Sequence, residues 1–217
     1  KEMISEFHAP ARKRLVKESL TALAMRLATR RPVFSASLGL LLKTVNGRGP
    51  DFVQSAFEEP VSALSEARLA SAKWRPTAAQ ARAGLRQLKT LDAKNEARRE
   101  RGNALVSLLQ KAGCEGLPQT ADAAGDHIYV SFALRRENRY AFTRQLRLRG
   151  VDAATGYMSD CASIPELGGS VGVCPNSAHV AENIVHLPLY PDLRERDLSR
   201  IAAAVAAADQ ALLQGEL

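Results

Sequence analysis

The stretch from Lys73 to Ala112, KWRPTAAQARAGLRQLKTLDAKNEARRERGNALVSLLQKA, constrains the fold more than any other part of the chain. Pro76 stops any helix that precedes it. Thr77 stands where an N-cap belongs, with Gln80 three residues on to complete a capping box. Beyond the cap, Ala81, Leu85, Leu88, Leu105, Leu108 and Ala112 recur near helical spacing, with charges on the other face. No proline interrupts the run, and Gly84 and Gly102 only weaken it. About 36 residues rising 1.5 Å each would give a helix roughly 54 Å long. That is more than a small domain needs, so the helix is expected to tie two parts of a molecule together.

The 217 residues suffice for one large domain or two small ones. An apolar fraction of 46% and a charged fraction of 24% are globular values, and with aromatics at 5% most packing falls to alanine and leucine. No apolar run approaches the ~18 residues of a membrane span, and the opening KEMISEFHAPARKR lacks the apolar stretch of a signal peptide. Cys114, Cys161 and Cys174 are odd in number and lack C-x-x-C spacing. They fit the reduced thiols of a cytoplasmic protein better than a disulfide frame or a zinc site, and no metal is expected.

Charge is unevenly placed. Residues 1–31 hold eight basic and three acidic side chains, which is +5 of the net +7 and leaves +2 for the other 186 residues. Such a basic head can meet nucleic acid, anionic lipid or a phosphorylated substrate. Nucleic acid is the least expected of these, because no aromatic residues interleave the charges. A plain solvated helix face explains the same pattern.

Three regions follow along the chain. Residues 1–72 read as a helical segment, a remnant of or insertion in a larger domain, with an amphipathic helix from Ala11 to Thr29 and another from Pro60 to Ala70. Residues 73–113 are the long linking helix. Residues 114–217 read as a small α+β domain of about three strands on helices. Its strands are expected at His127–Leu134, Val151–Tyr157 and Val185–Leu187. Its helices are expected at Glu137–Arg149, from a cap at Asn176 through Ile184, and along Leu198, Ile201, Val205, Ala208 and Leu212. The P-loop, the dinucleotide fingerprint, the metal-ligand helix and the nucleophile elbow are all absent from the sequence.

Three blocks carry a resemblance. WRPTAAQARAGLRQLKTLDAKNEARRERG, HIYVSFALRRENRYAFTRQLRLRGVDAATGYM and IVHLPLYPDLRERDLSRIAAAV are similar, in that order, to blocks of the DegT/DnrJ/EryC1/StrS sugar aminotransferases. The resemblance implies a fold type I enzyme dependent on pyridoxal 5'-phosphate (PLP), usually a homodimer, that aminates a nucleotide-linked keto sugar in polysaccharide or amino-sugar biosynthesis. It further implies that this chain is the C-terminal part, without the domain that carries the cofactor lysine. Lys43, followed by TVNGRG, is a faint echo of that lysine's block.

Site residues carry over singly from the resemblance. Lys73 stands where the family usually has an Asn that reaches the partner subunit's PLP phosphate. Arg75 stands at an Arg near the cofactor and sugar-nucleotide phosphates, and a salt bridge near the helix start explains it equally well. Tyr157 matches a Tyr after the second strand that handles substrate, although Gly156 replaces the usual His before it. A noncatalytic oligomerisation or interaction module with a basic N-terminal helix is the alternative reading.

Overall fold

The computed structural model describes residues 12–28, 30, 33, 75–118, 127–155, 159–165, 168–170 and 172–215. Its elements in chain order are α1 (Arg12–Ala28), α2 (Ala78–Leu88), α3 (Leu91–Lys111), β1 (Phe132–Arg135), α4 (Arg139–Leu148), α5 (Pro175–Asn183), β2 (Ile184–Leu187) and α6 (Glu195–Leu213). The chain divides into two compact units: residues 1–49 with 60–89, and residues 50–59 with 90–217.

In the first unit, α1 forms where the apolar spacing expects it. Val16, Leu20, Leu23 and Leu27 recur at four-three-four spacing along it, and all four are exposed. The expected helix from Pro60 to Ala70 lies outside the described residues. The capping box of α2 is present as read: Gln80 N donates to Thr77 Oγ1 at 3.1 Å, and Thr77 N donates to Gln80 Oε1 at 2.8 Å.

The long helix is interrupted. α2 ends at Leu88, Lys89 and Thr90 form a turn, and α3 restarts at Leu91. Thr90 leaves the helical region with φ −118° and ψ 6°. Two physical causes meet here. A β-branched threonine is a poor interior helix residue. And α2 buries none of its residues, so packing does not carry the helix through. Packing begins later, where Gly102, Leu105, Val106 and Leu109 of α3 enter the core.

The second unit is one layer of helices on a small sheet. β1 and β2 pair antiparallel, with Phe132 opposite Leu187, Ala133 opposite His186, Leu134 opposite Val185 and Arg135 opposite Ile184. Alternation sends Phe132, Leu134, Val185 and Leu187 to the core face, all of them at most 1% exposed. α4 packs against β2 and α6 against α3 and α4, and their apolar residues join those of the sheet in one core. The inward row of α6, Leu198, Ile201, Val205 and Ala208, follows the expected 3-and-4 spacing.

Among the described residues the sheet has two strands where the sequence pattern expects three. Of the expected strand Val151–Tyr157, the described residues 151–155 contribute a bridge, Ala154 opposite His186. Val151, Ala153 and Thr155 are nonetheless buried, so these residues pack as a strand does. α5 starts one residue before the expected cap, with Cys174 as N-cap and Pro175 in the first turn, where proline's missing N–H costs nothing.

Arg136 fastens the unit. Its guanidinium makes two parallel bonds to Asp209 of α6, each 2.8 Å, donates to Glu115 O at 2.6 Å, and lies 5.0 Å over the Phe142 ring. Arg101 Nε similarly ties α3 to Leu193 O at 3.1 Å.

Candidate functional site

Of the four residues that the sequence nominates, Arg75 alone falls within the described structure; Lys43, Lys73 and Tyr157 lie outside it. Arg75 is exposed, two residues before the Thr77 cap of α2. The open N–H groups and the dipole of a helix start favour anions, and a guanidinium beside them adds charge of the same sign. Arg75 belongs to the first unit and the approach to Tyr157 to the second.

That approach is a buried polar corner. Ala154 N donates to His186 O at 3.0 Å and His186 N to Ala154 O at 2.7 Å. Ser131 Oγ lies 2.9 Å from His186 Nδ1. Burial pushes the His186 imidazole below its usual range, so the ring is held neutral. Thr155, 1% exposed, and Asp160, 9% exposed, bracket residues 156–158. Asp160 O accepts from Ser163 N and Oγ, while its Oδ1 has no hydrogen-bond partner among the described residues. A buried carboxylate oxygen with an open lone pair is suited to accept from a hydroxyl. Sequence reasoning missed Asp160, since one acidic residue in a loop carries no periodic signal.

A lysine that carries PLP works from an enclosed place beside groups that steer its proton. Lys13, Lys17, Lys89, Lys94 and Lys111 are the described lysines, and all are exposed. They do not fit as the cofactor's anchor. Among the described residues no group of three or more metal-ligating side chains comes together, and no helix is long and apolar enough to cross a membrane.

Comparison with known proteins places these features in a frame. Residues 56–206 match the model of the DegT/DnrJ/EryC1/StrS aminotransferase family. A 90-residue stretch, 41% of this chain, is 29% identical to the UDP-N-acetyl-3-dehydro-alpha-D-glucosamine 3-aminotransferase of Acidithiobacillus ferrooxidans and covers 24% of that protein. The crystal structure of S. venezuelae DesV in complex with a ketimine intermediate is similar with a TM-score of 0.53 at 28% identity, over 59% of this chain and 35% of DesV. The aminotransferase TlmJ from Streptoalloteichus hindustanus gives 0.51 at 26% identity, over 59% of this chain and 35% of TlmJ. The chain thus spans from about a quarter to about a third of the length of these relatives. With more than half of its residues matched by the family model, the chain belongs to the DegT/DnrJ/EryC1/StrS aminotransferase family.

Proposed function

We propose that this chain supplies the small domain and linking helices of a PLP-dependent aminotransferase acting on a nucleotide-linked keto sugar, with the cofactor lysine on polypeptide other than these 217 residues. Members of the family are PLP-dependent aminotransferases. The family match over residues 56–206 carries the reading. The printed substrate of the Acidithiobacillus relative, a UDP-linked dehydro amino sugar, supports the substrate class.

Within this reading the role of Arg75 and of Lys73 is to meet phosphate and that of Tyr157 is to handle substrate; in the second unit, taken by itself, Asp160 offers an acceptor for a hydroxyl. A homodimer, or a separate large-domain partner, completes the site. Titrating the full chain with PLP, reducing with borohydride and mapping the labelled peptide tests where the cofactor lysine lies. The expected result is no labelled lysine. A label on Lys43, lost in Lys43→Ala, would refute the placement of that lysine elsewhere.

The exposed seam of Val16, Leu20, Leu23 and Leu27 favours a second reading, a noncatalytic oligomerisation or interaction module. Sedimentation of the full chain and of a Leu20→Lys, Leu23→Lys variant distinguishes it. Under this reading the parent self-associates and the variant does not.

A further inference from the structure

We propose that the apolar seam of α1 is the docking site for an amphipathic helix of a partner protein, one that carries acidic residues on both flanks of its own apolar seam. The proposal rests on the interaction-module reading of α1 and narrows it to a partner of stated charge. Val16, Leu20, Leu23 and Leu27 are between 45% and 61% exposed. Of the described side chains of α1, Leu15 and Ala28 are half-buried and the rest are exposed. A helix of 17 residues draws most of its stability from packing an apolar face, and this face is open.

The shape of the seam selects a helix. In heptad terms Leu20 and Leu27 stand at a, Val16 and Leu23 at d, and Lys13 at the a position before them. A strict a/d stripe is the narrow seam into which a second helix sets its knobs. A helix lying in a membrane surface presents a broader apolar face. Here polar side chains begin directly beside the seam, at Lys17, Ser19 and Arg26.

Charge selects the partner. Arg12 and Arg26 fall at g and Lys17 at e; all three are exposed, and no acidic residue occupies an e or g position of α1. Glu18 stands at f, on the far side from the seam. A second copy of α1 fits poorly. Parallel pairing sets Arg12 against the copy's Lys17 and Lys13 against the copy's Lys13. Antiparallel pairing matches e with e and g with g, and neither set holds a carboxylate. A helix with glutamate or aspartate on its flanks meets these cations with opposite charge and excludes the copy as a rival.

The test titrates the full chain into fluorescent, end-blocked four-heptad peptides with leucine and isoleucine at the seam and either glutamate or lysine at every flanking position. Anisotropy should show the glutamate peptide bound roughly tenfold more tightly than the lysine peptide or better, and less tightly as salt is raised. Arg12→Glu with Lys17→Glu, exposed positions that keep good helix formers, should reverse the preference. Leu20→Lys with Leu23→Lys should abolish binding of both peptides. Four results would overturn the proposal. If neither peptide binds and the parent chain sediments as a seam-dependent oligomer, the seam belongs to a second copy and the interaction-module reading stands alone. If neither binds and the chain stays monomeric, that reading of the seam falls as well. Glutamate-peptide binding that survives Leu20→Lys with Leu23→Lys means charge attraction without a docking seam. Seam-dependent binding to phosphatidylglycerol–phosphatidylcholine vesicles, with none to either peptide, assigns α1 to a lipid surface.

Discussion

Gly102 lies in α3 directly beneath the ring of Tyr129, and replacing it with alanine separates two effects that the sequence cannot. A methyl there would stand 2.6 Å from both Cγ and Cε2 of Tyr129, and closer still to Cδ2. Ordinary contact begins near 3.4 Å, so the ring must move by most of an ångström. It is poorly placed to do so. Tyr129 is 5% exposed, stacks on Phe132 with centroids 6.1 Å apart, and donates through its hydroxyl to Asn103 Oδ1 at 3.0 Å. Its backbone is also held at φ +45°, a left-handed conformation that bulky residues seldom adopt.

Helix propensity favours the alanine by about 1 kcal/mol. Overpacking costs about 1–3 kcal/mol, and losing the Tyr129–Asn103 bond adds about 1 kcal/mol. The expected net loss is about 1–3 kcal/mol, a melting point lower by roughly 3–10 °C. Gly84 in α2 is the counter-case, because a methyl there meets nothing within 4 Å. Gly84→Ala should gain about 1 kcal/mol of local helix stability, read as slower amide exchange across α2. Urea titration followed by circular dichroism measures the Gly102 effect. In a Tyr129→Ala background the penalty of Gly102→Ala should disappear. A Gly102→Ala chain as stable as its parent, or more so, would refute the reasoning.

Three further outcomes are expected. Arg136→Lys keeps the charge but loses the paired bonds to Asp209, whose partners are 13% and 30% exposed, and should lower stability by about 1–3 kcal/mol in urea titration. Desolvation, reinforced by Asp209 and opposed by Arg136, raises the Cys114 thiol above its usual range. Iodoacetamide at neutral pH should therefore label the exposed Cys161 and Cys174 well before Cys114, as peptide mapping will show. The His186 pKa is lowered by burial, so the unfolded chain binds a proton that the folded chain refuses. Stability should be full above about pH 6.5 and fall as the pH drops below it, by at most about 1.4 kcal/mol per pH unit, with the slope reduced in His186→Gln.

Much of the second unit was legible because its periodicities are clean. α6 buries the residues that its spacing nominates, and in the first unit the Thr77–Gln80 box forms as written. The break at Lys89–Thr90 was not legible. Leu85, Leu88 and Leu91 keep the helical beat, yet they are exposed at 62%, 62% and 42%, and spacing cannot say whether a stripe is covered. Among the described residues the third strand is reduced to a bridge for a related reason. Val151–Thr155 has the composition of a strand, but pairing depends on what lies alongside, and the bridge recorded there is Ala154 opposite His186. At the candidate site, Arg75 came from resemblance to a family block, whereas Asp160 became visible through its burial alone.

Arg136 and Asp209 are separated by 73 residues, and the same guanidinium also reaches back 21 residues to Glu115. Contacts that close loops of this length are entropically costly until the intervening chain is already in place. The clamp is therefore expected to form late in the folding reaction rather than in its nucleus. In kinetic terms, loosening it should leave the refolding arm of a chevron nearly unmoved and raise the unfolding arm. The lifetime of the folded unit, more than its speed of formation, rests on one arginine.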